Sequence, residues 1–396
     1  MAFPPVPAPS VTADLSALLD RARLALWRLD GAFSAHSDAP AFEAMQLLRE
    51  AVLSCRIESE SSGFAAVLAA AVDLDDEPGG DAIAPMRCRK ALECGLTEAS
   101  EEPLTLDRLA AVEAALAGDG ASNGGLAGRA KGDRETKLAA ALVELDEFLM
   151  EQGELPDLVR IGIAQAQLAR LLPTGSQDGR LERIAGLAMF RRIGVPGASA
   201  LAMSPYFQSS RSEYQAQLRG PTETWLDFFV KAVAQSANEA AGMIRRCAVL
   251  AREHREAISA GLGHAVGRGL RVFGRLTTEP VATVSEIQDI TGTSYVATNQ
   301  LVARFVDMGI LDEITGYRRN RRFQYGPYVR VFDPDATAAP APERRAARPV
   351  SKPPRRPAAR KPPRRRAVSG PRKPSPAPPS PKPRRRPSPS FSDHLL

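Results

Sequence analysis

Residues 158–184 read LVRIGIAQAQLARLLPTGSQDGRLERI. Apolar side chains recur at helical spacing up to Leu172, Pro173 and Gly175 break the pattern, and a second helix opens at Arg180 with Leu181 and Ile184 on one face. A Gly-containing turn that feeds a helix start gathers backbone N–H groups without intrahelical partners, and the helix dipole adds partial positive charge there. Arg180 and Arg183, three residues apart, add two fixed cations. The arrangement suits an anion, phosphate above all. Alone it is a weak signal, because arginines near helix starts are common.

Helical patterning extends outward in both directions. Leu15, Leu18, Leu19, Ala22, Leu26 and Leu29 predict a first amphipathic helix, and a loop around residues 37–40 separates it from a second carrying Phe42, Met45, Leu48 and Val52. Further helices are expected near 63–72, 86–95 and 105–116, where Thr105 is a suitable cap. Residues 118–134 are Gly-rich and predict a loop. Helices follow at about 135–152, 156–172, 180–193, 206–218 and 222–260. Strand-like alternation is almost absent before residue 270, so the fold class is all-α.

Composition divides the chain. From residue 336 to 396 there are 17 Lys/Arg against two acids and 17 of the 33 prolines, a charge of +15; the whole chain is +6, so residues 1–335 carry −9. The tail, 335–396, cannot bury enough apolar surface to fold and is expected to be disordered. No apolar run approaches the roughly 20 residues of a membrane span. The start, MAFPPVPAPS, has neither a charged n-region nor an apolar h-region, and a cytoplasmic location is expected. Cys55, Cys88, Cys94 and Cys247 form no CxxC pair and no metal-ligand spacing, which fits a reducing compartment. The histidines are His36, His254, His264 and His394, so none can serve chemistry in the middle of the sequence by local proximity.

Four blocks in order along the chain carry a resemblance: LREAVLSCRIES (48–59), AQLARL followed by LPTGSQDGRLER (166–183), SPYFQSSRSEY (204–214), and 283–323. Together they resemble the Fic family, whose members transfer AMP or related groups from nucleotides to protein hydroxyls. The resemblance implies an N-terminal helical region at 14–75 with an inhibitory-helix-like motif (Ser54, Glu58), a core at 85–265, and a winged helix-turn-helix at 266–330. It also implies degenerate chemistry. The family's catalytic histidine falls on Leu172 and its metal-binding Asp on Ser176, while Gly179, Arg180 and Arg183 match the nucleotide-binding positions. Leucine accepts no proton, and losing a general base removes about 10²–10⁴ of rate. Neutral Ser176 is a poor ligand for Mg²⁺. No catalytic or metal residue is therefore assigned, and ATP and Mg²⁺ are implied only for a pocket that still functions. The resemblance further implies a Glu58–Arg183 ion pair. The β-hairpin flap of the family has no counterpart in the Gly-rich interval 118–136.

Near the C-terminus, residues 283–305 read as helix, Gly-containing turn, helix, with Gly292 ending the first and Thr293 or Ser294 capping the second. Ala297, Leu301 and Phe305 are expected to face the core, leaving Tyr295, Thr298, Asn299 and Arg304 outward, where short polar side chains reach base edges. A hairpin with Arg318, Arg319, Arg321 and Arg322 would lie on phosphates. The sequence thus predicts a DNA-associated regulatory pseudoenzyme. The alternatives are an active nucleotide-dependent modifier of protein hydroxyls with a rebuilt site, and an architectural DNA binder whose helical body pairs with a second copy.

Overall fold

The computed structural model describes residues 10–36, 38–58, 63–72, 80–97, 99, 101–118, 133–151, 153–172, 179–315, 321–333 and 335. Thr12 caps α1 (Ala13–Ser34) by accepting from the Leu15 amide, and the helix buries Leu15, Leu19, Ala22, Leu26 and Leu29 along one stripe. The next helix, α2 (Ala39–Glu58), is buried on nearly every side from Ala41 to Ile57, so it is a central element. Helices α3 (Phe64–Val72), α4 (Ile83–Leu96) and α5 (Leu106–Ala117, capped by Thr105) follow, and α4 packs against both α2 and α5.

After α6 (Asp133–Met150), α7 (Asp157–Leu171) buries every residue from Leu158 to Leu168. It packs between α8 (Arg180–Ile193) and α11 (Thr222–Gly261), so the helix that opens the quoted stretch is a core helix. The helix expected at 206–218 is two, α9 (Ser204–Ser209) and α10 (Arg211–Arg219), interrupted at Ser210. At 40 residues, α11 is about 60 Å long. It lies against α1 and α7, and it also touches α12 (Val266–Thr278), binding the C-terminal elements to the helical body.

Those elements are β1 (Val281–Thr283), α13 (Val284–Thr291), α14 (Tyr295–Asp307), β2 (Leu311–Glu313), β3 (Arg322–Tyr325) and α15 (Gly326–Phe332). The strands form an antiparallel sheet of order β1-β3-β2, with Ala282 opposite Phe323 and Asp312 opposite Gln324. A reciprocal Thr283–Glu286 capping box starts α13, and Gly292, at φ +63°, ends it as expected. Ser294 caps α14.

Strand β1 and helix α15 have no clear signal in the sequence. Three-residue β1 is too short for a visible alternation, and α15 opens with Gly-Pro. Helix α15 returns to the body: the Phe332 ring lies 5.3 Å from that of Phe42, and Asp335 pairs with Arg56 at 2.6 Å. One apolar cluster consequently runs from Leu15 to Phe332, and all described residues fall within one compact unit. The Gly-rich interval 119–132 and the tail 336–396 lie outside the described residues. Among the described residues, no helix is long and apolar enough to cross a membrane.

Candidate functional site

The last turn of α2 and the first turn of α8 meet at Arg183. Its guanidinium is only 2% exposed. Nε donates to Ser54 Oγ at 2.9 Å, Nη2 to the Ser54 carbonyl at 3.0 Å, and Nη1 to Glu58 Oε1 at 3.1 Å. Residues 54 and 58 are one helical turn apart, so the hydroxyl, the carbonyl and the carboxylate line up for one planar fork.

Behind the fork, the Tyr214 hydroxyl donates to Glu182 Oε1 at 3.1 Å, and the Arg211 guanidinium donates to the Glu58 carbonyl at 3.2 Å. Burial works against the Arg183 charge, but Tyr214, Glu182 and Glu58 together outweigh it and hold the group cationic beyond its usual range. Burial also raises the Glu182 carboxyl and the Tyr214 hydroxyl.

Gly179 allows the close approach. It sits at φ +80°, and a Cβ there would lie 2.9 Å from Arg183 Nη1 and 3.2 Å from Glu58 Oε1. Only glycine combines that backbone with that space. Arg180 points toward α2, with Nη1 3.7 Å from Cys55 Sγ. Leu172 closes α7, its amide bonded to the Leu168 carbonyl, and its side chain is 7% exposed within the apolar core.

Thus Ser54, Glu58, Gly179, Arg180 and Arg183 come together. Pro173 and Ser176 lie outside the described residues. Sequence reasoning missed Tyr214 and Arg211 as partners of this site, since they come from α10, and nothing in the chain order signals the pairing. It also missed Glu50. That carboxyl is buried one α2 turn before Ser54, accepts from the Ser204 amide at 2.8 Å and from the Ser204 hydroxyl, and is raised by burial despite those bonds. His36 packs edge-on against Phe42, and His254 bonds the Tyr325 hydroxyl through Nδ1 at 2.6 Å; both sit elsewhere.

A second candidate surface lies on α14. Tyr295 is 59% exposed, as expected, and Arg304 is exposed with Nη1 donating to the Gly261 carbonyl at 3.0 Å. Two expectations are corrected. Thr298 is completely buried, its hydroxyl shared with Thr293 at 3.0 Å and with the Ser294 carbonyl at 3.2 Å, whereas Ala297 is exposed. The core face is Thr298, Leu301, Val302 and Phe305, one position round from the expected stripe, because local hydroxyl bonds let a threonine take a core position. The outward face therefore holds Val296, Ala297 and Gln300 beside Tyr295.

Asn299 is half-buried. Its Oδ1 accepts from Arg321 Nη2 at 2.7 Å and its Nδ2 donates to the Tyr295 carbonyl at 2.9 Å. Arg321 also lies over the Phe323 ring, 5.3 Å from its centroid, and 3.8 Å from Glu313. Arg322 is half-buried in β3, its amide donating to Thr315 Oγ1 at 3.1 Å. Arg318 and Arg319 lie outside the described residues.

The family model described as Fic/DOC family N-terminal matches residues 16–97, which run from within α1 to just past the end of α4 and include Ser54 and Glu58. Over those residues the chain is similar to the N-terminal region of the Fic/DOC family. A crystal structure of a Fic family protein from Desulfovibrio desulfuricans G20 aligns with 80% of this chain and 97% of its own, at 14% identity and a TM-score of 0.48. No curated protein matches the chain. The matched region supplies Ser54 and Glu58 from α2; Arg183, which bonds both, comes from α8, outside it.

Proposed function

We propose that this protein is a Fic-family pseudoenzyme whose output is association with DNA in the cytoplasm. The observation that carries the reading is the state of Arg183. The cation that would receive a nucleotide phosphate is buried and already bonded to Ser54 and Glu58 through all three of its nitrogens. Leu172 supports the same reading, since the position at which the resemblance puts a general base holds a side chain packed in the core.

The donor set does not fit Mg²⁺ and ATP. Leu172 offers no donor, Ser176 is neutral where a carboxylate would bind Mg²⁺, and Glu58 competes with any phosphate for Arg183. The DNA half of the proposal rests on the C-terminal elements, read as a winged helix-turn-helix. The start of α14 presents an exposed face, Arg321 lies beside it, and the 336–396 segment carries a charge of +15 that attracts polyanions without regard to sequence.

Two measurements test the reading. Wild type, Glu58→Gly and a Leu172→His/Ser176→Asp variant are incubated with α-³²P-labelled ATP and Mg²⁺ in cell lysate. We expect no label from the first two; transfer by either refutes the pseudoenzyme reading in favour of an active modifier. In parallel, gel-shift titrations on random and selected duplexes compare the full chain with a truncation after Asp335. The truncated protein is expected to bind more weakly but keep a sequence preference. Loss of all binding on truncation refutes a reader role for α14.

A further inference from the structure

Reading a base pair requires side chains that are exposed, free of other bonds and aimed outward from one helix face. Helix α14 supplies them. Thr298, Leu301, Val302 and Phe305 are buried and fix its roll, so the opposite stripe of Val296, Gln300 and Ala303 is exposed. At 66% exposure, Val296 is the most exposed large apolar side chain among the described residues. One turn further on, the Gln300 side-chain amide makes no hydrogen bond to another described residue. Asn299 is different. Arg321 occupies its Oδ1 and the Tyr295 carbonyl its Nδ2, so this amide is committed within the protein. Arg304 is likewise engaged, by the Gly261 carbonyl.

The residue types in that stripe restrict what it can read. Guanine is taken by Arg or Lys and cytosine by Asp or Glu, and from Tyr295 to Ala303 the chain has none of the four. A carboxamide matches adenine, with Nε2 donating to N7 and Oε1 accepting from the N6 amine. A small apolar side chain matches the 5-methyl group of thymine. Val296 and Gln300 stand about 6 Å apart along the helix, close to the rise of two base-pair steps.

We propose that α14 reads A·T base pairs in the major groove, Gln300 taking the edge of an adenine and Val296 the methyl group of a nearby thymine. The inference rests on the reading that the C-terminal elements bind duplex DNA, and it adds the class of base pair and the two side chains that select it. Arg321 is held beside the stripe by Asn299 and by the face of Phe323, with Glu313 only loosely matching its charge at 3.8 Å. It supplies a fixed cation for a backbone phosphate flanking the pair. Such a contact sets position and affinity, whereas the uncharged Val296 and Gln300 set sequence.

The test uses the full-length chain. Duplexes selected from a random pool are titrated in gel shifts at a salt concentration that suppresses sequence-independent binding. Enrichment of A·T pairs about two steps apart or closer is expected. Base analogues then replace the enriched positions one at a time. 7-Deazaadenine, which lacks N7, is expected to weaken wild-type binding about 5-fold or more at one adenine and to have no further effect in Gln300→Ala. Deoxyuridine, which lacks the methyl group, is expected to weaken wild-type binding about 4-fold at one thymine and to be neutral in Val296→Ala. Both side chains are exposed, so both variants are expected to unfold at the wild-type temperature. Absence of binding to any duplex refutes the DNA reading itself, and the inference with it. Binding without sequence preference, selection of G·C pairs, or analogue sensitivity that survives in the two variants overturns the inference and leaves the DNA reading standing.

Discussion

Replacing Arg183 with methionine keeps most of the side-chain volume and removes the fork. Glu58 loses its cation, while the Ser54 hydroxyl and carbonyl lose donors in a buried setting. Breaking a fully buried pair from one side costs about 3–5 kcal/mol, and the Glu58 side chain is 24% exposed, so water recovers part of its share; about 3 kcal/mol is expected. Glu58→Gln keeps an acceptor and should cost only about 1 kcal/mol. The double variant should then cost about 1–2 kcal/mol less than the sum of the singles, because methionine no longer strands a charge. Urea unfolding followed by tryptophan fluorescence reads this directly. Trp225 is buried in α11 with Nε1 donating to the Gly162 carbonyl at 2.7 Å, whereas Trp27 is exposed and contributes a steady background. An Arg183→Met loss under about 1 kcal/mol, or strict additivity, would refute the view that this ion pair ties α2 to α8.

Gly179→Ala places a Cβ against Arg183 and Glu58 at a left-handed backbone position and should cost about 1–3 kcal/mol by thermal or urea unfolding. Burial raises the Glu50 carboxyl from 4.5, so above that pH the folded state holds a proton that the unfolded chain has released; stability falls as pH rises, and Glu50→Gln should abolish this slope in unfolding curves recorded across pH. Gln300→Ala should alter duplex preference in gel shifts without changing stability. Thr298→Val, by contrast, should leave duplex preference intact and cost about 1 kcal/mol, since its hydroxyl bonds inside the turn. Truncation after Asp335 should reduce the slope of log affinity against log salt by about 0.9 for each phosphate that the basic tail neutralises in the full chain.

Helix positions are legible where burial produces a regular stripe, as in α1, and where punctuation is strong, as at Thr105, Gly292 and Ser294. The central helices α2 and α7 are legible too, but they are buried almost all round and their amphipathicity says little about which neighbours they meet. The orientation of α14 differs by one position from the expected stripe. Thr298 carries a polar group that bonds within its own turn, so polarity does not predict exposure there.

For the site, the family resemblance implies Ser54, Glu58, Gly179, Arg180 and Arg183 from the two contributing helices. Tyr214, Arg211 and Glu50 are invisible in the sequence as members of this neighbourhood. Each is a meeting of segments distant along the chain, and no local pattern encodes it.

By itself the sequence determined the helical class, a leucine at position 172 where the family resemblance implies a histidine, and the charge division between an acidic body and a basic tail. These are properties of residue type and local period, which survive without knowledge of neighbours. Tertiary structure decided that Arg183 is saturated, that Thr298 faces inward, that α15 returns to α2, and that a guanidinium rests on a buried thiol. Those outcomes depend on which side chains share a desolvated space, and there the cost of leaving a buried polar group without a partner selects the pairs.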